Sequence, residues 1–250
     1  MTIFPGLYLR HQVTRYVILF IGRDGSTYLS SLLASHPNIQ QLYERFGLMR
    51  KNGQGTNEQL DWVRKFFTPT LIGRAAAVGF KSKIRDVLDP EGFAQLLTTK
   101  RCHIIEVRRR NRVKAVVSEL YASRLFEASG KWNLYNEKDR QRPTTIDPAD
   151  FDALLVEREA ADAQLESYIR QLGRPTLRIL YEDLMLDRDA VLRDIFMFLR
   201  VQPKALAGRT LKHTSDNLRD VLVNFDELRG RYLGSEYEAM FDEVLSQSVA

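Results

Sequence analysis

Residues 16–30 read YVILFIGRDGSTYLS. Tyr16 to Ile21 are apolar and β-favouring, a turn with Gly22 and Gly25 follows, and a helical pattern begins at Ser26–Thr27. A short apolar strand that feeds a glycine turn and then a helix is the opening unit of an α/β sheet. The same layout makes an anion site. The first N–H groups of a helix lack internal partners, and the helix dipole adds partial positive charge there. Gly22 and Gly25 let the backbone wrap closely, Ser26 and Thr27 add hydroxyls, and Arg23 adds a full charge. Asp24 is the anomaly, an acid where an anion should sit, and it is expected to turn away from the cradle and cap backbone N–H groups or pair with a nearby arginine such as Arg23. A plainer reading stays open: a simple strand–turn–helix connection with Ser26 as the helix cap.

The rest of the chain repeats the strand–helix alternation. AAVGFK (76–81), HIIEV (103–107) and TLRIL (176–180) read as further buried strands. Helical patterns lie between them: TYLSSLLAS, NEQLDWVRKFF, EGFAQLLTT, RVKAVVSELYASRLF, the long stretch 151–172 and DRDAVLRDIFMFLR (187–200). Gly173 and Pro175 stop the long helix, and Asp187 opens the last one with an acidic cap. This predicts an α/β fold of three layers, a mainly parallel central sheet flanked by helices. The 250 residues suit one domain spanning 1–250. The polar segment 129–150 reads as a long surface loop, and the region near 125–150 as an acceptor-binding or lid element.

Composition narrows the function classes. Hydrophobic residues make up 44% and charged residues 28%, which is an ordinary globular balance. A formal charge of +5 favours anionic ligands without demanding nucleic acid. The single cysteine, Cys102, leaves no internal disulfide and no cysteine metal site. The opening residues carry no signal-peptide core and no run reaches the ~18 apolar residues of a membrane span, so a cytoplasmic protein is expected, with peripheral membrane contact still open.

A second basic cluster follows the third strand, IEVRRRNRVKAVVSELYASR (105–124). Arg108, Arg109, Arg110 and Arg112 crowd one strand end, where they repel each other unless an anion or carboxylates neutralise them. Ser118 lies two helical turns beyond Arg110, so both can converge on one phosphate; a solvated basic face is the alternative. The first loop is not a Walker A sequence, G-x-x-x-x-G-K-[ST], because it is shorter and no lysine precedes the hydroxyl residues.

Taken together, FIGRDGSTYLSSLLASHPNI and RNRVKAVVS resemble the sulfotransferases that use 3′-phosphoadenosine 5′-phosphosulfate (PAPS). VGFKSKI, ILYEDLMLDRDAVLRDIFMFLRV and LKHTSDNLRDVLVNFDEL are similar to later segments of that family, so the likeness runs from about residue 16 to 230. It implies a P-loop NTPase-like sulfotransferase fold, with PAPS as co-substrate and no metal. The first loop, Arg23, Asp24, Gly25, Ser26, Thr27 and Tyr28, would hold the 5′ end. Arg110 and Ser118 would hold the 3′-phosphate, with Arg109 the alternative if the register slips by one. Lys212, next to His213, would belong to a basic loop closing over the nucleotide.

The resemblance also implies a base for the acceptor hydroxyl. Glu44, shortly after the first helix, fills that role, because Lys83 stands where other members carry a histidine. Lys81 and Arg23 would balance charge on the transferred group, with Lys83 a second candidate for that task, and His36 reads as a helix-end residue. The implied acceptor is a hydroxyl of a carbohydrate, a lipid-linked glycan or a small alcohol. Trp62, Phe66, Phe67, Trp132 and Tyr135 are available to stack on it or to fill the core. Two other classes stay in view: a P-loop-like small-molecule kinase, which the missing lysine opposes, and a non-catalytic basic module for polyanions.

Overall fold

The structure is a computed structural model that describes residues 13–68, 75–130, 132, 134, 136, 138, 140–206 and 215–245. Among these residues a five-stranded sheet forms the centre: β1 (Thr14–Phe20), β2 (Ile39–Leu42), β3 (Ala77–Ser82), β4 (His103–Arg108) and β5 (Thr176–Leu180). The spatial order is β2-β3-β1-β4-β5, and every pairing is parallel. The expected mainly parallel sheet is therefore present, with β2 as an added edge strand. Gln40 and Gln41 disguise β2 in the sequence. Gln41 points inward and is buried, but its side chain accepts from the Tyr16 hydroxyl at 2.6 Å and donates to the Leu42 carbonyl at 2.6 Å. Full pairing makes an inward glutamine tolerable at a sheet edge.

β1 explains the layering. Its residues alternate between two faces, and from Tyr16 to Phe20 both faces are buried. Tyr16, Ile18 and Phe20 pack against α1 (Ser26–Ala34) and, further along the chain, α8 (Arg188–Leu199), through Leu29, Leu33, Ile195 and Phe196. Val17 and Leu19 face the opposite layer. It comprises α2 (Phe46–Lys51), α3 (Thr56–Phe66), α4 (Pro90–Thr99) and the C-terminal half of α6 (Pro148–Leu172). Trp62, Phe66 and Phe67 belong to this layer. Trp62 stacks on Phe66 at 5.2 Å and Phe67 is fully buried, so they serve as core.

A third apolar cluster joins α5 (Arg112–Ser129) and the N-terminal half of α6 to α9 (Phe225–Arg231) and α10 (Glu238–Asp242). Helix α6 starts at Pro148, three residues before its apolar pattern, because Asp147 caps it by accepting from the Ala149 N–H at 2.7 Å. The six-residue α7 (Tyr181–Leu186) leaves β5 directly. No helix among the described residues is long and apolar enough to cross a membrane.

One glycine is required by close approach. Gly79 on β3 lies beside Tyr16 on β1, and a Cβ there would sit 2.5 Å from the Tyr16 ring. The ring is buried on all sides and its hydroxyl is tied to Gln41, so it has nowhere to go. Gly79→Ala is expected to cost about 1–3 kcal/mol of stability, as overpacking does. Urea unfolding of the two proteins checks this, and an unchanged midpoint would show that the sheet absorbs the methyl group.

Candidate functional site

The carboxyl ends of all five strands converge on one cleft, the usual place for a ligand in an open parallel sheet. After β1 the chain turns sharply. Arg23 has φ 68° and Gly25 has φ 80°, both left-handed. Gly25 precedes α1, and no side chain caps that helix. No acidic residue lies in the first helical turn, so its outward N–H groups and dipole remain available to an anion.

Asp24 is turned away from this mouth and has no solvent exposure. One carboxylate oxygen accepts from the Ile21 N–H at 3.1 Å, and the other meets the Arg158 guanidinium at 2.5 Å. Asp24, grouped above with the loop that would hold the 5′ end, therefore does not reach the cleft; it turns away as expected, but its partner is Arg158 and not Arg23. An ionised carboxylate facing an anion would repel it, and the loop instead sends the acid into the protein, to Arg158 on α6. Burial pushes the Asp24 carboxyl up to about 7, opposed by Arg158 and the Ile21 N–H.

The end of β3 brings Lys81 under the helix N-terminus. Its Nζ donates to Thr27 Oγ1 at 2.7 Å and Ser26 Oγ at 3.3 Å, and pairs with Glu44 Oε1 at 3.2 Å. Lys83 takes the other Glu44 oxygen at 3.0 Å. Glu44 lies in the turn between β2 and α2, one short edge strand beyond α1. Burial pushes the Lys81 ammonium down to about 8 although Glu44 opposes this. Burial would raise the Glu44 carboxyl, but the two lysines outweigh it and hold the group below the usual carboxylate range.

The end of β4 settles the arginine register. Arg109 is buried, lines the cleft and lies 4.7 Å above the Tyr181 ring. Its Nε is buried without a hydrogen-bond partner among the described residues. Arg110 is exposed and does not line the cleft, which corrects the expectation that it contacts a ligand phosphate. The backbone explains the choice: Glu182 accepts the N–H groups of Arg110 and Asn111, each at 3.1 Å, and Asn111 caps α5 through the Lys114 N–H. That turn points side chain 109 inward and side chain 110 outward.

Ser118 also lines the cleft, and Arg23 Nε donates to its Oγ at 3.1 Å. The cleft has a volume of about 1020 Å³ and takes in Tyr28, Glu44, Leu48, Lys83, Phe126 and Trp132 in addition. Phe126 and Trp132 stack with ring centres 4.6 Å apart. Gly25, Ser26 and Thr27 complete the wall, so the cleft gathers the loop, Lys83, Arg109 and Glu44, while Lys81 is buried behind Ser26 and Thr27 and does not itself line it. Lys212, His213 and Tyr135 lie outside the described residues. His36 is buried away from the cleft, where Nδ1 accepts from the Asn38 N–H and Nε2 therefore donates to the Gln202 carbonyl at 2.9 Å.

Three residues were not singled out from the sequence: Tyr181, Glu119 and Arg158. Tyr181 follows a strand end within a segment already noted, so its position was a usable signal. Glu119, next to Ser118, lines the cleft and raises the Arg23 guanidinium against the stronger lowering effect of burial. Arg158 looks like an ordinary charge on a long helix and gives no local signal.

The crystal structure of a sulfotransferase from Alicyclobacillus acidocaldarius superposes with a TM-score of 0.50 at 20% sequence identity, covering 92% of this chain and 96% of that one. The fold is sulfotransferase-like. A mouse sulfotransferase solved with PAP gives a TM-score of 0.43 at 13% identity, over 77% of this chain and 59% of that chain. In sequence, Nodulation protein H of Rhizobium tropici is 24% identical over 237 residues, covering 91% of this chain and 92% of that protein. No protein-family model matches the chain.

Tyr181 fixes one more constraint in this cleft. A Cβ on Gly25 would meet its ring at 2.4 Å, at a φ that side chains already disfavour. Gly25→Ala is expected to cost about 2–5 kcal/mol, the sum of the backbone and overpacking terms. In a Tyr181→Ala background the cost should fall to the backbone term alone. Equal costs in both backgrounds, measured by denaturant unfolding, would show that the ring is not what excludes the side chain.

Proposed function

We propose that the protein is a sulfotransferase that moves a sulfuryl group from PAPS to an acceptor hydroxyl. The observation that carries this reading is Arg109, a cleft-lining guanidinium with a buried Nε that no described group satisfies. An unmade bond of that kind costs about 1–3 kcal/mol, which a ligand phosphate would offset. The uncapped N-terminus of α1 on the same cleft wall offers a second anion seat. Two separate anion seats joined by one cleft fit a nucleotide with phosphate groups at both ends of its sugar.

In this reading Arg109 and Ser118 hold the 3′-phosphate. The N–H groups of α1, the hydroxyls of Ser26 and Thr27 and the Arg23 guanidinium hold the 5′ end. PAPS supplies the activated sulfuryl group, and the chain supplies position and charge. Lys81 balances negative charge beside the helix N-terminus, where it already donates to both hydroxyls. Glu44 accepts the proton of the acceptor hydroxyl. Held ionised by two lysines it is a weak base, and it strengthens as an arriving anion draws Lys81 away. Leu48 and the stacked Phe126–Trp132 pair form the acceptor wall, with Lys51 above Phe126. Such a wall suits the face of a ring, in a carbohydrate, a glycolipid head group or a small alcohol.

The first test compares thermal shifts with 3′-phosphoadenosine 5′-phosphate, AMP and ATP. A shift with the first alone, lost by about tenfold or more in affinity in Arg109→Ala, is the expected result. Equal shifts with all three would sink the nucleotide assignment.

A second test uses pH. Burial holds Lys81 near 8, below its ordinary value, so it is cationic at neutral pH and loses its proton as pH rises through about 8. An anion prefers the cationic form. Affinity for 3′-phosphoadenosine 5′-phosphate should therefore be flat at neutral pH and weaken above about 8. Lys81→Arg, which does not titrate there, should remove the decline. A decline that persists in that variant would assign it to another group.

A further inference from the structure

The loop that would receive the 5′ anion carries two acceptors of its own, the Gly22 carbonyl and the Asp24 carboxylate. Either one turned into the cleft would repel an anion. Both are taken up by one side chain on the far side of the loop. Arg158 Nη1 donates to the Gly22 carbonyl at 3.0 Å, and Nη2 meets the Asp24 carboxylate at 2.5 Å. Its Nε donates to Asp162 Oδ2 at 3.3 Å, one helical turn along α6, which fixes the fork in place. The two contacts flank Arg23, the residue held at φ 68°. Arg158 does not line the cleft, so any effect on a ligand passes through the loop.

We propose that Arg158 is the positioning residue of the anion loop. It draws the loop's two negative ends inward, so that N–H groups and the Arg23 side chain are what the cleft presents. This explains why an acid can stand inside an anion cradle. Asp24 serves as the handle by which α6 sets the loop, and burial strengthens the grip because no water competes with it. The fork matters as well as the charge. Lysine at 158 would keep one cation but could not meet the Gly22 carbonyl, Asp24 and Asp162 together. The assignment of the loop to the 5′ end rests on the sulfotransferase reading; the role of Arg158 in shaping an anion seat does not.

The experiment compares two ligands in the full chain: adenosine 3′,5′-bisphosphate, which needs both anion seats, and adenosine 3′-monophosphate, which needs only the Arg109 side. In Arg158→Lys the bisphosphate should bind at least tenfold more weakly while the monophosphate keeps its affinity. A merely structural role would weaken both alike, and that result, or unchanged binding of both, overturns the proposal. Should the lysine variant fail to fold, Asp24→Ser with Arg158→Met removes both buried charges together and leaves no stranded ion. The same selective loss is expected there, and wild-type affinity for both ligands would again overturn the idea.

Inorganic pyrophosphate separates this proposal from the functional reading. If wild-type protein binds pyrophosphate but no adenosine phosphate, and Arg158→Lys loses that binding, the loop role stands and the nucleotide assignment falls. If wild-type protein binds the bisphosphate and Arg158→Lys binds it equally well, the nucleotide assignment stands and the loop role falls. Wild-type protein that binds neither probe overturns both.

Discussion

The buried Asp24–Arg158 pair is the constraint around which the cleft is arranged. A carboxylate with no solvent exposure must be paired or protonated, and Asp24 without Arg158 would be a stranded charge. The pair therefore locks the turn after β1 to a particular place on α6. That helix is itself anchored at both ends. Phe151 and Leu155 pack in one apolar cluster, Leu165 and Ile169 in another, and Arg158 lies between the two groups. The turn thus takes its position from the body of the protein rather than from its own flexible backbone. Glu182 does the corresponding work at the second basic segment, accepting two backbone N–H groups at the end of β4.

Charge at the strand ends follows a simple division. Arg108 pairs with Glu106 and Glu166, and Arg112 with Asp162 and Glu236. Arg110 reaches solvent. Of the four arginines in that cluster, Arg109 alone lines the cleft; its Nε, like Arg108 Nη2 outside the cleft, is buried without a partner among the described residues. Mutual repulsion among the four is thus relieved by carboxylates wherever the cation serves the fold. The same division holds for Lys81 and Lys83, which share Glu44. The net charge of +5 says little about this. What matters is which cations lack a protein partner in a place where water is scarce.

Most of the sheet was legible because buried parallel strands are continuous apolar runs and the helices between them are amphipathic. β1, β3 and β4 could be found that way; β5, expected as a buried strand, is an edge strand with Thr176 and Arg178 exposed and only Ile179 buried. β2 could not, since Gln41 is buried in it and its side-chain oxygen accepts from Tyr16, a partner 25 residues away. The glycine turn and the arginine–serine segment were readable as candidate anion seats because their chemistry is local. Whether residue 109 or 110 faces inward was not, because Glu182, 72 residues away, decides the path of that turn. Arg158 was invisible for the same reason: its three partners include two on a loop 134 and 136 residues earlier. Local pattern gives the seats, and long-range ion pairs choose which side chain occupies them.

Tyr181 touches both seats, with its ring against Gly25 on one side and under the Arg109 guanidinium on the other. It therefore acts as a spacer whose thickness is part of the distance between two binding groups. Positions 25 and 181 cannot drift independently. Any lineage that enlarged residue 25 would first have to shrink residue 181, and in doing so would lose the surface on which Arg109 rests. The glycine is thus held in place by a ring more than 150 residues away, in addition to the turn it occupies.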